Sequence, residues 1–151
     1  MDPPLSFKGR SQAKALVRAV QSGKLPKPQI LLSSPKIRAV QTFEPLVQSV
    51  GGVLKIRPEL EERHNSEENS QFLSRIREQW AWLTRQAEES PQDCFIVTHS
   101  DWIGEALPMI PSPDNLTEDH YQWWRPCQYM HLEFQEGLWK IREFNLILPE
   151  G

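Results

Sequence analysis

The chain has 151 residues, a formal net charge of −3 and 38% hydrophobic residues, enough for one domain whose core gains bulk from six Trp and six Phe. That charge gives no overall basic field to draw nucleic acid or an acidic membrane, and no apolar run approaches membrane-spanning length. Met1-Asp2-Pro3-Pro4 lacks a basic-then-apolar signal pattern, and Cys94 and Cys127 stand outside any CxxC spacing; the expected setting is a reducing cytoplasm, with Cys94 a small buried hydrophobe.

In chain order, Ser6 can cap a helix running to about Ser22, with Ala13, Leu16, Val17 and Val20 at helical spacing. Gly9 in its first turn costs helix stability and marks a position of close backbone packing. Gln29-Ile30-Leu31-Leu32-Ser33 reads as a short strand buried on both faces, the mark of a parallel sheet. Ser34 then fits an N-cap and Pro35 the first position of a helix whose stripe is Ile37, Val40, Phe43, Val47 and Val50. Pro45 should kink or split that helix, and Gly51-Gly52 should end it. Val53-Leu54-Lys55-Ile56 forms a second short strand, followed by a loop dense in Glu from Pro58 to Asn69.

Ser70 to Ser90 is the clearest helix, with Leu73, Ile76, Trp80, Leu83 and Ala87 on one face. Cys94 to Thr98 is another buried strand, and a helix from Asp101 to about Leu107 follows. Pro108 to Pro126 has the length of a lid or mobile segment. Gln128–Phe134 and Trp139–Phe144 form a hairpin around Glu136-Gly137. The alternation predicts an α/β fold, a three-layer, mostly parallel sheet flanked by helices, as a single domain over residues 1–151.

Three residues stand where chemistry could occur. Arg38 lies in the first turn of a helix leaving a buried strand, where free N–H groups and a guanidinium can converge on phosphate oxygens. Taken alone, it is better read as a surface arginine in an ordinary αβ connection. His99 ends an apolar strand and precedes the capping pair Ser100-Asp101; its ring can donate to a phosphoryl oxygen, or satisfy a nearby carbonyl. Glu62 can protonate a leaving oxygen near a bound phosphate, or belong to a solvated acidic loop with Glu59, Glu61, Glu67 and Glu68. Trp123, Trp124 and Arg125 can close over a substrate or pack the long loop onto the domain. No HExxH, GxGxxG, Walker or GxSxG pattern occurs, and His64, His120 and His131 show no ligand spacing, so neither metal nor cofactor is expected.

In order, four segments resemble the histidine phosphatase superfamily, which includes the phosphoglycerate mutases and bacterial phosphohistidine phosphatases. Asp2-Pro3-Pro4-Leu5-Ser6-Phe7-Lys8-Gly9-Arg10-Ser11-Gln12-Ala13 is similar to the family's Leu-Ser/Thr-x-x-Gly-x-x-Gln-Ala helix start. Ser33-Ser34-Pro35, continuing to Arg38-Ala39-Val40-Gln41-Thr42, resembles its most specific signature. Leu60-Glu61-Glu62-Arg63-His64 resembles the mutase-type segment with the family's acid, and Val97-Thr98-His99-Ser100-Asp101-Trp102 the segment of its second catalytic histidine. Ser100 stands where the family usually has Gly.

The resemblance implies a phosphatase acting through a phosphohistidine. Arg38 and His99 would bind the phosphoryl oxygens, Glu62 would serve as acid then base, and Arg63 would contact substrate. The implied partner is a phosphorylated small molecule or a phosphoprotein. Family members open with a strand ending in Arg-His-Gly, whose His is the nucleophile; no Arg-His-Gly occurs here, and Arg63-His64-Asn65 is misplaced to replace it. The resemblance therefore implies an N-terminally truncated, inactive chain that either is less stable than a complete homologue or has something else filling the gap. It puts the absent strand between the strands ending near Ser33 and Thr98. A non-catalytic phosphate-binding module is the alternative.

Overall fold

Ser6 opens the first helix as its chemistry requires, its Oγ accepting the Gly9 N–H at 3.0 Å, and α1 runs Phe7–Gln21. The computed structural model describes residues 2–147. These fall into two compact units: one within Met1–Glu61, Gln92–Thr98 and Ile147–Gly151, the other Glu62–Pro91 and His99–Leu146.

The first unit holds α1, β1 (Ile30–Ser33), α2 (Ile37–Val50), β2 (Val53–Ile56) and β3 (Cys94–Val97). Its sheet is parallel in the order β2-β1-β3. Leu31, Leu32 and Ser33 are fully buried, as an apolar strand inside a parallel sheet demands. β1 and β3 pair directly, Ile30 opposite Cys94 through Ser33 opposite Val97. This corrects the expected strand between them: the two strands hydrogen-bond directly to each other. Among the described residues β3 is instead the sheet's edge.

α2 packs on this sheet through Ala39, Phe43 and Leu46, with Phe43 against Phe95. It begins at Ile37, two residues later than the Ser34-Pro35 pattern predicts, and Pro45 neither splits nor ends it. It stops at Gly51 (φ 82°) and Gly52 (φ 102°). A Cβ on Gly52 would lie 2.8 Å from Leu31 Cδ1 and 3.1 Å from the Pro28 carbonyl, so this turn needs glycine both for its dihedral and for its space.

The second unit holds α3 (Asn69–Glu89), α4 (Ser100–Ala106) and the antiparallel hairpin β4 (Gln128–Gln135) and β5 (Leu138–Leu146). The buried stripe of α3 is Phe72, Ile76, Gln79 and Leu83. The predicted Ile76 and Leu83 lie on it and Trp80 packs half-buried against the core beside it, while Phe72 and the polar Gln79 were not expected there. Glu136 (φ 51°) and Gly137 (φ 81°) make the hairpin turn with both central residues left-handed, which matches strand twist.

The Pro108–Pro126 segment is pinned rather than open. Leu107, Ile110 and Leu116 form a core joined by Trp80, Trp124, Met130 and Trp139. The Trp139 N–H donates to the Pro111 carbonyl at 2.8 Å, and the Ile141 N–H to Asp114 Oδ2 at 2.9 Å. Trp124 packs inward and donates to the Tyr121 carbonyl, whereas Trp123 is 79% exposed.

Candidate functional site

β1 and β3 end level with each other: Ser33 faces Val97, and the Ser34 N–H donates to the Val97 carbonyl at 3.1 Å. Parallel sheets place ligands beyond such carboxyl ends. The chain leaves β1 through a buried turn in which Ser33 Oγ donates to the Ser34 carbonyl at 2.8 Å and Ser34 Oγ accepts the Lys36 N–H at 3.3 Å. Arg38 follows as the second residue of α2 and is half-buried.

The start of α2 differs from expectation. The Ile37 N–H donates to Asp2 Oδ1 at 3.0 Å. The segment carrying Asp2 is fixed along the helix, since the Leu5 N–H donates to Gln41 Oε1 at 2.8 Å. Two of the donors expected to be free for an anion, the Lys36 and Ile37 N–H groups, thus already serve Ser34 and Asp2.

The other predicted residues, Glu62, Arg63 and His99, belong to the second unit. His99 is the N-cap residue of α4, extended at φ −121° and ψ 155°, and its carbonyl accepts the Ile103 N–H at 3.0 Å. α4 runs Ser100–Ala106, one residue off the predicted span at each end. Two residues after His99, Asp101 accepts the Trp102 N–H on Oδ1 (2.7 Å) and the Arg63 N–H on Oδ2 (3.0 Å). The structure therefore joins the Glu62–Arg63 segment to the helix that starts at His99. In the first unit, the Thr98 hydroxyl donates to the Leu60 carbonyl.

Arg75 on α3 shapes the same loop. Its guanidinium forks onto Glu67 at 2.7 and 2.8 Å and reaches the Glu62 carbonyl at 3.2 Å. Glu67 also accepts the His64 N–H at 3.2 Å. The Arg75 hydrogen bonds, opposed by burial and aided by the His64 N–H, hold the Glu67 carboxyl at about 2 against an ordinary 4.5. Glu67 is thus a structural carboxylate, which removes it from the acidic crowd around Glu62.

Sequence reading missed Asp2, Glu67, Arg75 and Asp101. Asp101 had a signal, as half of a capping pair; the reach of Asp2 to a helix start 35 residues away had none. Among the described residues, no three His, Cys, Asp or Glu side chains gather as a metal site. An open groove of about 450 Å³ beside Arg18, Ser22 and Lys24 contains none of the predicted site residues.

Solved structures similar to this chain include the protein histidine phosphatase SixA complexed with tungstate (15% identity, TM-score 0.73), covering 95% of this chain and 84% of that one. A phosphoserine phosphatase mutant from Entamoeba histolytica, in complex with phosphoserine, matches at 15% identity and TM-score 0.72, covering 97% and 86%. A mycobacterial glucosyl-3-phosphoglycerate phosphatase with VO3 matches at 18% identity and TM-score 0.66, covering 96% and 88%. At these identities the likeness shows the shared α/β fold. No curated protein matches the chain. The family model described as histidine phosphatase superfamily (branch 1) matches residues 1–93, which include the Arg38 signature and the Glu62 segment, and the chain belongs to that superfamily.

Proposed function

We propose that this domain binds the phosphoryl group of a phosphate monoester or a phosphohistidine, with Arg38 and His99 as phosphate-binding residues, Glu62 as the proton donor to the leaving oxygen and Arg63 as a substrate contact. The observation that carries this reading is the attachment of the Glu62–Arg63 segment to the helix that starts at His99, through Asp101. An acid and a phosphate donor arrive on neighbouring backbone, as general-acid catalysis of phosphoryl transfer requires. Three of the similar structures carry a phosphoryl group or a metal oxyanion as ligand, which supports a substrate of that class.

Transfer through a phosphohistidine needs a nucleophilic His, and the 151 residues contain no Arg-His-Gly. On our reading, the nucleophile comes from residues outside these 151, on a strand added at the outer edge of β3. The chain by itself then binds phosphate without turning it over. The absence of Arg-His-Gly equally favours a second reading, a phosphate-binding module that never hydrolyses its ligand.

Calorimetric titration with inorganic phosphate tests what the two readings share. Arg38→Ala and His99→Ala should each weaken binding by tenfold or more; binding by both variants as tight as by the parent refutes the site. Aryl phosphate hydrolysis by the 151-residue chain should stay at the buffer rate. Translation of the DNA upstream of Met1 then separates the readings: an in-frame apolar run ending in Arg-His-Gly supports the enzyme, and an immediate stop codon supports the binding module.

A further inference from the structure

We propose that Arg75 and Asp101 are positioning residues that clamp a single peptide bond, Glu62–Arg63, and thereby aim the Glu62 and Arg63 side chains. The inference rests on the functional reading above. The carbonyl oxygen of this peptide accepts from Arg75 Nη2 at 3.2 Å, and its N–H donates to Asp101 Oδ2 at 3.0 Å. A peptide unit is planar and turns about the line joining its two Cα atoms, so holding both its polar ends opposes that rotation. The Cα atoms of Glu62 and Arg63 lie in that plane, and the plane's orientation sets where both side chains start.

Neither clamp residue is itself loose. The second oxygen of Asp101 accepts the Trp102 N–H at 2.7 Å, and Trp102 is only 3% exposed, so the carboxylate is oriented by a buried turn. The fork of Arg75 on Glu67 leaves Nη2 directed at the Glu62 carbonyl, and the Arg75 guanidinium lies 5.0 Å from the centre of the Phe72 ring. Glu67 closes the loop from behind by accepting the His64 N–H on its side chain and Arg63 Nε on its carbonyl at 3.3 Å. The Glu62–Arg63 plane is thus held between the second residue of α4 and a side chain of α3. An acid that must meet a leaving oxygen within hydrogen-bond range gains most from such fixation, because small displacements cost large rate factors.

Two NMR measurements on the 151-residue chain test the clamp. The first is water exchange at the Arg63 amide. It should rise at least tenfold in Asp101→Ala and by less in Asp101→Asn, whose one side-chain oxygen can serve only one of the two N–H donors that Asp101 satisfies. The second is titration with inorganic phosphate. Asp101→Ala should weaken binding about tenfold and silence the Arg63 Nε response, Asp101→Asn should recover part of each, and Arg75→Lys, which keeps the charge but loses the fork, should produce a smaller loss in the same direction. A parent that does not bind phosphate overturns the functional reading, and the positioning role with it. A parent that binds, together with an Asp101→Ala variant that binds equally well, overturns the positioning role alone. Unchanged Arg63 exchange in Asp101→Ala overturns the clamp itself.

Discussion

β1 and β3 are strands of one kind: four residues each, apolar, parallel and in register. Yet Leu31, Leu32 and Ser33 are fully buried, while every residue of β3 is only half-buried. The difference lies in the edges. Among the described residues β1 has a partner on both sides, and β3 has one on one side only. A continuous apolar run reports that both faces of a strand are covered and says nothing of its edges. The contrast continues into the helices that follow. The first turn of α2 is closed by a carboxylate brought from Asp2, and that of α4 by its own Asp101.

The largest effect that could break this comparison concerns Cys94, the first residue of β3. Burial pushes its thiol up to about 12 from an ordinary 9.0, against the weaker pull of Lys55. The surroundings of this one thiol are then poor in water although the strand that carries it is only half-buried. At pH 8 its thiolate population should be about a thousandfold below that of an ordinary cysteine. A Cys127→Ser chain, with Cys94 as its only thiol, should react with an aromatic disulfide reagent only after unfolding in urea. Because the folded pKa is raised, the matching stability is fully present below pH 9 and is lost as pH rises towards 12. Cys94→Ala should flatten that alkaline loss. Fast labelling of the folded chain would show that β3 is wet at this residue, and the contrast with β1 would then be one of faces as well as edges.

Next in size is the energetic asymmetry of the two strands. Leu32→Ala empties a fully buried position and should cost about 3 kcal/mol in urea denaturation. Ile96, its register partner on β3, is half-buried, and Ile96→Ala should cost roughly 1–2 kcal/mol. Equal losses would mean that the edge of β3 contributes to the core as fully as the centre of the sheet. Amide exchange sharpens the point, since β3 should open before β1 does.

Much of this was legible from residue type and spacing. The Ser6 cap, the apolar run at Leu31-Leu32, the glycine stop at Gly51-Gly52 and the Glu136-Gly137 turn are local signals, and local physics decides them. The stripe of α3 was legible only in part because a buried Gln79 breaks the apolar period. Strand order is not a local property, which is why a strand was expected where β1 and β3 in fact meet. Of the site, the Arg38 and His99 segments could be read because each follows an apolar strand. The residues that hold the Glu62–Arg63 peptide could not, since Arg75 and Asp101 act through backbone atoms that carry no sequence identity.

The smallest effect separates the two carboxylates at the helix starts. Among the described residues Asp2 accepts only the Ile37 N–H, and it is exposed, so Asp2→Ala should lower stability by about 1 kcal/mol or less, the scale of a lost helix cap. On the functional reading, its effect on phosphate should have the opposite sign to that of Asp101→Ala. Asp2 places a negative charge at the α2 start, where Arg38 would receive an anion, and it occupies a donor the anion could use. Removing it should tighten phosphate binding about two- to fivefold, the factor matching a helix-terminus charge interaction of roughly 0.3–1 kcal/mol. The gain should shrink as salt is added, because the charge is exposed. Removing Asp101 instead releases the peptide between Glu62 and Arg63, and binding should weaken. If both substitutions weaken phosphate binding alike, Asp2 belongs to the grip rather than competing with it, and the two helix starts are equivalent in function despite the different origins of their carboxylates.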